Sequence, residues 1–370
     1  MLDTVIITIE ESRFAINDYS KFGTTKAEFD SIRGFRRFIN NPTAQDKKQG
    51  IYKPRLTLLK RGFSISVRAE FSVPKIIFGN NVDEVSEINF SSIVRLLKEK
   101  LNEMGIWTTD KFIKEAKISG FDVSKNIPLT NGYTSSFAIK ELSKVNLNRK
   151  LDFNDTKFRN DGSSLQYYSN SHSLVIYDKI SDLRQPQKRA IDKDQTRQQL
   201  GLFEETQKPQ KYKEILRIEV RLRNKRKINS VLRAINCSEN PLFKDIFDKS
   251  LCQKIIKHYW QTMIADKNMF LFDMVSGPLK TFQKNIKNNR HEGPRKNIYL
   301  TGLELLGKDK GIRELRQNIE LIAKQNTWYR INKDIEKINS YNKELEPHGF
   351  IKDIEGSINS FDTFRLKNNK

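Results

Sequence analysis

The chemistry in this chain starts with a phenol, an ammonium and several carboxylates set among apolar, β-branched runs. In "SHSLVIYDK", Ser171 to Lys179, strand alternation puts Leu174, Ile176 and Asp178 on one face and Ser173, Val175, Tyr177 and Lys179 on the other. A phenol beside an ammonium suits a phosphate. In "ILRIEVRLR", Leu216, Ile218, Val220 and Leu222 share a face opposite Ile215, Arg217, Glu219, Arg221 and Arg223. "VRAEFSV" sorts the same way, with Val67, Ala69, Phe71 and Val73 packing and Arg68, Glu70 and Ser72 opposed. In "KISGFDV", Asp122 shares a face with Ile118 and Gly120, and the glycine leaves room close to the backbone. If these polar faces coincide, one sheet presents Glu70, Asp122, Glu219, Tyr177 and Lys179 together. The competing reading is a solvated sheet face with ordinary cross-strand ion pairs.

The elements that must position these residues are strand-rich early and helix-rich late. "VIITI", "RLTLLKRGFSISVRAEFSV", "AKISGFDVSKNI", "SLVIYDK" and "EILRIEVRLR" alternate and are β-branched. "NFSSIVRLLKEKLNEMGI" and "YTSSFAIKELSKV" have helical spacing behind Ser or Thr caps. The expected fold is α+β: a mixed, mostly antiparallel sheet with helices on one face, followed by a small helical C-terminal domain. Residues 181–213, polar and aperiodic, read as a mobile insertion within a domain spanning 1–282; residues 283–297 read as a linker, and 298–370 as the helical domain.

In that C-terminal part, Ile312, Leu315, Ile319 and Ile322 repeat at 3-4-3 spacing. After a polar join capped by Asn326 or Thr327, Trp328, Ile331, Ile335 and Ile338 do the same, with Arg330, Lys333 and Lys337 opposite. Two short helices, the second basic on its outer face, match a helix-turn-helix reader of duplex DNA, and unspecific helical packing is the alternative.

Charge narrows the partner. The 370 residues carry a formal net charge of +22, which suits a polyanion, either nucleic acid or an acidic membrane surface, and 37% hydrophobic content allows a sizeable core. No uninterrupted apolar run approaches the roughly 20 residues that span a bilayer. "MLDTVIITIEESRF" begins as a strand, without a basic segment and cleavage site, so no membrane association and a cytoplasmic location are expected. Cys237 and Cys252 are too few for a disulfide scaffold or a four-cysteine zinc site, and read as buried thiols.

Taken in order, "MLDTVIITI", "AEFSVPKIIFGNNV", "GFDVSKNI", "HSLVIYDK" and "RIEVRLR" resemble the gene II/X replication initiators of filamentous phages and their plasmid relatives. The tyrosine-lysine strand followed by an Arg-x-Glu strand is similar to the wider group of rolling-circle plasmid initiators, and the resemblance covers roughly residues 1–265. It implies an enzyme in a bacterial host that nicks one DNA strand at an origin, keeps the 5′ end as a phosphotyrosine ester and later rejoins the displaced strand. It also implies single-stranded and duplex DNA, and a host helicase and polymerase, as partners.

Such chemistry needs a hydroxyl nucleophile and charge on the phosphoryl oxygens. Glu219 and Asp122 are the first expected ligands for Mg²⁺ or Mn²⁺, with Glu70 the third; hard oxygen ligands favour these ions. Lys179 would neutralise the scissile phosphate, and Arg217 and Arg221 would contact DNA. The chain lacks the His-hydrophobic-His triplet of many nicking enzymes, since His172, His258, His291 and His348 are scattered. Two tyrosines compete as nucleophile: Tyr177, and Tyr259 in "CQKIIKHYWQTM", where His258 could assist proton removal. Tyr259 is favoured, against the reading of Tyr259 and Trp260 as core aromatics. A conjugative relaxase, or a non-catalytic origin- or RNA-binding protein, would use the same sheet.

Overall fold

Alternation of aliphatic and polar residues builds a nine-stranded sheet at the centre of the molecule. The computed structural model describes residues 1–130, 132–145, 157–159, 162–184, 214–265, 277–323, 325–341 and 348–365. The strands run β1 (Leu2–Glu10), β2 (Phe14–Ile16), β3 (Phe35–Asn40), β4 (Arg55–Arg61), β5 (Ser64–Ser72) and β6 (Ile106–Thr108), then β7 (Lys117–Pro128), β8 (Lys157–Arg159), β9 (Ser164–Tyr168), β10 (His172–Asp178) and β11 (Ile215–Leu222). The main sheet has the order β3-β4-β5-β1-β7-β11-β10-β9-β8, and β2 and β6 form a separate ribbon. Every pairing among these strands is antiparallel, where a partly mixed sheet was expected.

One face of the sheet is apolar. Val67, Phe71, Phe121, Val123, Leu174, Ile176, Leu216, Ile218 and Val220 belong to one buried cluster with Val94, Leu97, Ile256 and Ile354 from helices. Helices Phe90–Glu103, Ser135–Ser143, Lys225–Ala234, Lys249–Met263 and Gly349–Ser360 bring their apolar stripes to this core. Burying such stripes supplies most of the drive to fold.

Two bulges fix where the polar face begins. Between Leu2↔Val123 and Val5↔Phe121, β1 carries one more residue than β7; between Ile6↔Gly120 and Ile7↔Ile118 the extra residue is on β7. A bulge re-aims side chains. The first turns Asp3, which in an unbroken strand would share the core face with Val5 and Ile7, toward Arg217. The second sends Ile118, expected beside Asp122, into the core. Gly120 serves close packing: a Cβ there would meet Leu222 O at 3.1 Å and Ile6 Cδ1 at 3.2 Å.

The C-terminal region is helical, but its boundaries differ from those read in the sequence. Helix Pro278–Asn288 runs through the expected linker and packs on helix Pro294–Lys310, with Asn285, Asn289 and Asn297 buried between them. The join holds because these amides are bonded: Asn285 Nδ2 donates to Thr301 Oγ1 at 3.1 Å, and Asn297 Nδ2 donates to Glu292 O at 3.1 Å. Residues 348–365 return to the sheet. Helix Gly349–Ser360 packs on β7 and on helix Lys249–Met263, and Thr130 donates its N–H and hydroxyl to Asp353, both at 2.7 Å. Of the expected insertion 181–213, residues up to Arg184 complete helix Lys179–Arg184; 185–213 lie outside the described residues.

Phe350, fully buried against Tyr133 and Phe137, ties this returning helix to the core. Phe350→Ala is expected to lower the stability of the sheet domain itself by about 3–5 kcal/mol. Urea denaturation followed by near-ultraviolet circular dichroism checks this; a loss confined to a separate, helix-only transition would show that the segment folds apart from the sheet.

Candidate functional site

The polar face is assembled by cross-strand register. Arg221 pairs with Asp122 and with Ser173, and Ser173 pairs with Tyr168, so β7, β11, β10 and β9 contribute one row. The next row joins Ser124, Glu219, Val175 and Gln166, and a third joins Asn126, Arg217, Tyr177 and Ser164. Glu70 lies two strands from β7, across β1. Asp122, Glu219, Glu70 and Tyr177 thus share one face, as alternation indicates.

Five arginine-carboxylate contacts knit the face together. Glu219, 2% exposed, accepts from Arg221 Nε at 2.6 Å and from Tyr177 Oη at 3.1 Å, with Arg217 Nε 3.8 Å away. Arg217, also 2% exposed, donates to Asn81 O at 2.7 Å and Ser124 Oγ at 2.6 Å and lies 3.2 Å from Asp3. Arg223, just past β11, bridges Asp122 at 2.5 Å and Glu70 at 3.6 Å. Burial alone would raise Glu219, but the Arg221 and Arg217 guanidiniums pull it down to about 2. Asp122 goes the other way: burial and the neighbouring Glu219 charge raise it against the pull of Arg223. Two carboxylates of opposite tendency therefore stand on adjacent strands.

The face has a closed end and an open end. At the closed end Ile215, Val82, Ile180 and Leu183, with Phe364 against them, form a small apolar cluster. Lys179 lies there. It begins a helix rather than ending the strand, because Asp178 caps that helix by accepting from Ile180 N at 2.9 Å and Ser181 N at 3.0 Å. The Lys179 ammonium is fully buried, 5.6 Å from the Tyr177 ring centroid and 3.7 Å from Asp182, with no hydrogen-bond partner among the described residues. Burial, seconded by Arg217, lowers it to about 8. The amine is 0% exposed, so it is not placed where the expected contact with a scissile phosphate would need it. Tyr177 is half-buried, and burial raises its phenol.

At the open end stand Arg221, Arg223, Glu70 and Tyr168. Tyr168 is 43% exposed, whereas its neighbour Tyr167 points into the core and donates to Leu142 O at 2.9 Å. Tyr259 is on the other side of the sheet. It is 3% exposed, packed in the apolar core with Trp260, and its hydroxyl lies 2.7 Å from Nδ1 of His172, a core-face residue opposite Leu222. Burial raises the Tyr259 phenol and lowers His172 to about 4. The core-aromatic reading of Tyr259 and Trp260 describes this geometry, and His258 makes only a ring contact with Tyr259.

Sequence reasoning missed Tyr168 and Asp3, and placed Arg223 on the polar face without giving it a role. Tyr168 ends the short strand "SLQYY", which lacks β-branched residues. Asp3 was visible as an acid interrupting "MLDTVIITI", and the bulge that aims it was not.

As a metal site the expected triad is compromised by its partners. Both Glu219 oxygens and one of Asp122 are committed to hydrogen bonds, and Glu70 faces Arg223. Among the described residues no three His, Cys, Asp or Glu side chains are grouped to hold a cation. Two buried carboxylate oxygens of this face lack a hydrogen-bond partner, Asp122 Oδ1 and Asp3 Oδ1, but Asp3 Oδ1 lies 3.2 Å from the Arg217 guanidinium, so of the two only Asp122 Oδ1 is free to meet a hard cation.

On the C-terminal helix Gln325–Tyr341, Ile335 and Ile338 are buried, Trp328 and Ile331 half-buried, and Arg330 and Lys333 exposed. Lys337 is bound to Glu292 at 2.8 Å. On helix Ile312–Ile322 the expected stripe is incomplete: Ile312 is buried, Ile322 is 87% exposed, and Arg316 takes a buried position. Among the described residues no helix is long and apolar enough to cross a membrane. Compared with family models, curated proteins and solved structures, the chain finds no match.

The buried ammonium gives a pH signature. Lys179 releases its proton near pH 8 in the folded chain and near its ordinary value when unfolded, so the unfolded state holds more protons between about pH 8 and 10.5. Stability from this group therefore rises with pH across that window, by up to about 3 kcal/mol. Lys179→Met is expected to remove the rise and to stabilise the chain at pH 7.5. Urea midpoints of both proteins at pH 7.5 and 10 check this, and a parallel pH response would show that the amine is solvated.

Proposed function

We propose that the protein is a DNA strand-transferase of the rolling-circle initiator kind, working on the polar face of its sheet. One observation carries the reading: a half-exposed tyrosine, Tyr168, shares a cross-strand row with Ser173, Arg221 and Asp122 on a face that also buries Glu219 and Arg217. In this reading Tyr168 Oη attacks the phosphorus, the bond to the 3′-oxygen breaks, and that oxygen leaves with a proton as a free 3′-OH. The 5′ end stays on the protein as a tyrosyl phosphate, so the bond energy is conserved for rejoining.

Arg221 is the guanidinium nearest the row and supplies charge to the phosphoryl oxygens; Glu219 fixes its orientation through a 2.6 Å bond. Asp122 stands three strand spacings from Tyr168, about 14 Å, so the phenol proton leaves to solvent and the departing 3′-oxygen takes its proton from water; the one Asp122 oxygen without a hydrogen-bond partner is left for a cation. Asp122 would hold Mg²⁺ or Mn²⁺, with Asp3 and Glu70 joining only if Arg217 and Arg223 withdraw from them, and the ion would polarise the phosphate. Arg217 and Lys179 act at the closed end as a buried scaffold. The basic surface of helix Gln325–Tyr341 supports duplex binding at an origin through Arg330 and Lys333.

The reading is tested by transfer of a labelled oligonucleotide to the protein on a denaturing gel, with mapping of the labelled peptide. Tyr168→Phe is expected to abolish the adduct while leaving DNA affinity within about threefold, since one hydroxyl is removed; Tyr259→Phe is expected to keep it. A label on Tyr259 or Tyr177 would move the reaction elsewhere, and nicking without any adduct would replace transfer by hydrolysis. Separately, neutralising Arg330 and Lys333 together should lower the salt slope of duplex binding by about 2 units. An unchanged slope would remove that helix from the interface.

A further inference from the structure

The polar face does not stop at the carboxylates. Across β1 it continues over β5, β4 and β3, where register places Arg68 beside Thr57, Ser66 beside Leu59, and Thr57 and Leu59 beside Ile39 and Arg37. At the far edge Phe35 pairs with Arg61, and the turn between β4 and β5 carries Phe63. This end is open: Phe35 is 64% exposed, Ile39 50% and Phe63 86%, and Arg37, Arg61 and Arg68 are exposed as well.

Arginine and aromatic side chains interleave there. Arg61 lies over the Phe35 ring at 5.6 Å and Arg33 over Phe63 at 6.0 Å, so each ring is held by a cation on one side and faces water on the other. The only acid from β3, β4 or β5 on this face is Glu70, at the boundary with the carboxylate site and beside Arg223.

We propose that this ridge is a platform for single-stranded DNA, guiding the strand next to the nick. The inference deepens the strand-transfer reading and rests on it for the direction of the strand. Exposed rings stack unpaired bases and the arginines follow the phosphates; a duplex hides its base faces and would gain only the charge. Four strand spacings separate β7 from β3, about 19 Å, the reach of a few nucleotides.

The test is fluorescence anisotropy of the full chain with a fluorescent dT16 and with a mixed-sequence duplex of equal length, without nicking. Phe35→Ala/Phe63→Ala, both at exposed sites, should weaken dT16 binding by roughly 100-fold, about tenfold per ring, and duplex binding by less than about threefold. Arg37→Gln/Arg68→Gln should lower the salt slope for dT16 by roughly 1.4 units. Unchanged dT16 affinity in the ring variant, or an equal loss for both DNAs, would overturn the platform. The two readings fail differently. A Tyr168→Phe protein that still forms the adduct sinks the nucleophile and leaves the platform, whereas intact dT16 binding by the ring variant sinks the platform and leaves the nucleophile.

Discussion

The structure depends on one buried ion network, Glu219 held between Arg221 and Arg217. A carboxylate taken out of water costs several kcal/mol unless its partners are fixed, and here both arginines come from the same strand. That arrangement presses three neighbours into place. Arg217 reaches Asp3 on β1, Ser124 on β7 and the Asn81 carbonyl in the loop beyond helix Val73–Phe78, so one side chain ties β11 to its neighbour, to the strand beyond and to a loop. A register slip of one residue between β7 and β11 would carry Glu219, Arg217 and Arg221 together to the apolar face and part Arg217 from Asp3 and Ser124.

The proposed function rests on the two ends of that face. At the closed end, apolar residues cluster beside the fully buried Lys179, which keeps the local effective dielectric low. At the open end, Arg221, Arg223 and Tyr168 reach the surface, with Asp122 buried beneath Arg223. The opposite face carries the helices, so it buries its tyrosines, Tyr167 and Tyr259, with their hydroxyls bonded inside the protein. Of the strand tyrosines, Tyr167 and Tyr168 are sent to the core and to the polar face by parity.

Much of this was legible in the sequence. Alternation in "VRAEFSV", "SLVIYDK" and "ILRIEVRLR" assigned Glu70, Tyr177 and Glu219 to the face they occupy, because the strand period of two admits no compromise once one side is buried. What stayed hidden depends on partners. Asp3 is aimed by a bulge that exists only relative to β7, and Arg223 finds Glu70 from a position beyond its strand. Lys179 looked like the strand's last polar residue, but the Asp178 side chain starts a helix at that point. Tyr259 lies in a stretch with apolar residues at helical spacing, and burial is what that spacing indicates. Nor could local pattern say that helix Gly349–Ser360 returns to β7, since an apolar stripe names no partner.

The central claim is that the polar face of the sheet performs the chemistry and that Asp122, at its open end, takes part. The most direct measurement is the rate of nicking of supercoiled DNA carrying a cognate origin, in Mg²⁺ or Mn²⁺, by Asp122→Asn, with binding measured beside it. The account predicts a loss of at least about 100-fold in nicking with origin binding within about threefold of the parent. Nicking at the parent's rate, by a variant that binds DNA normally, would contradict it.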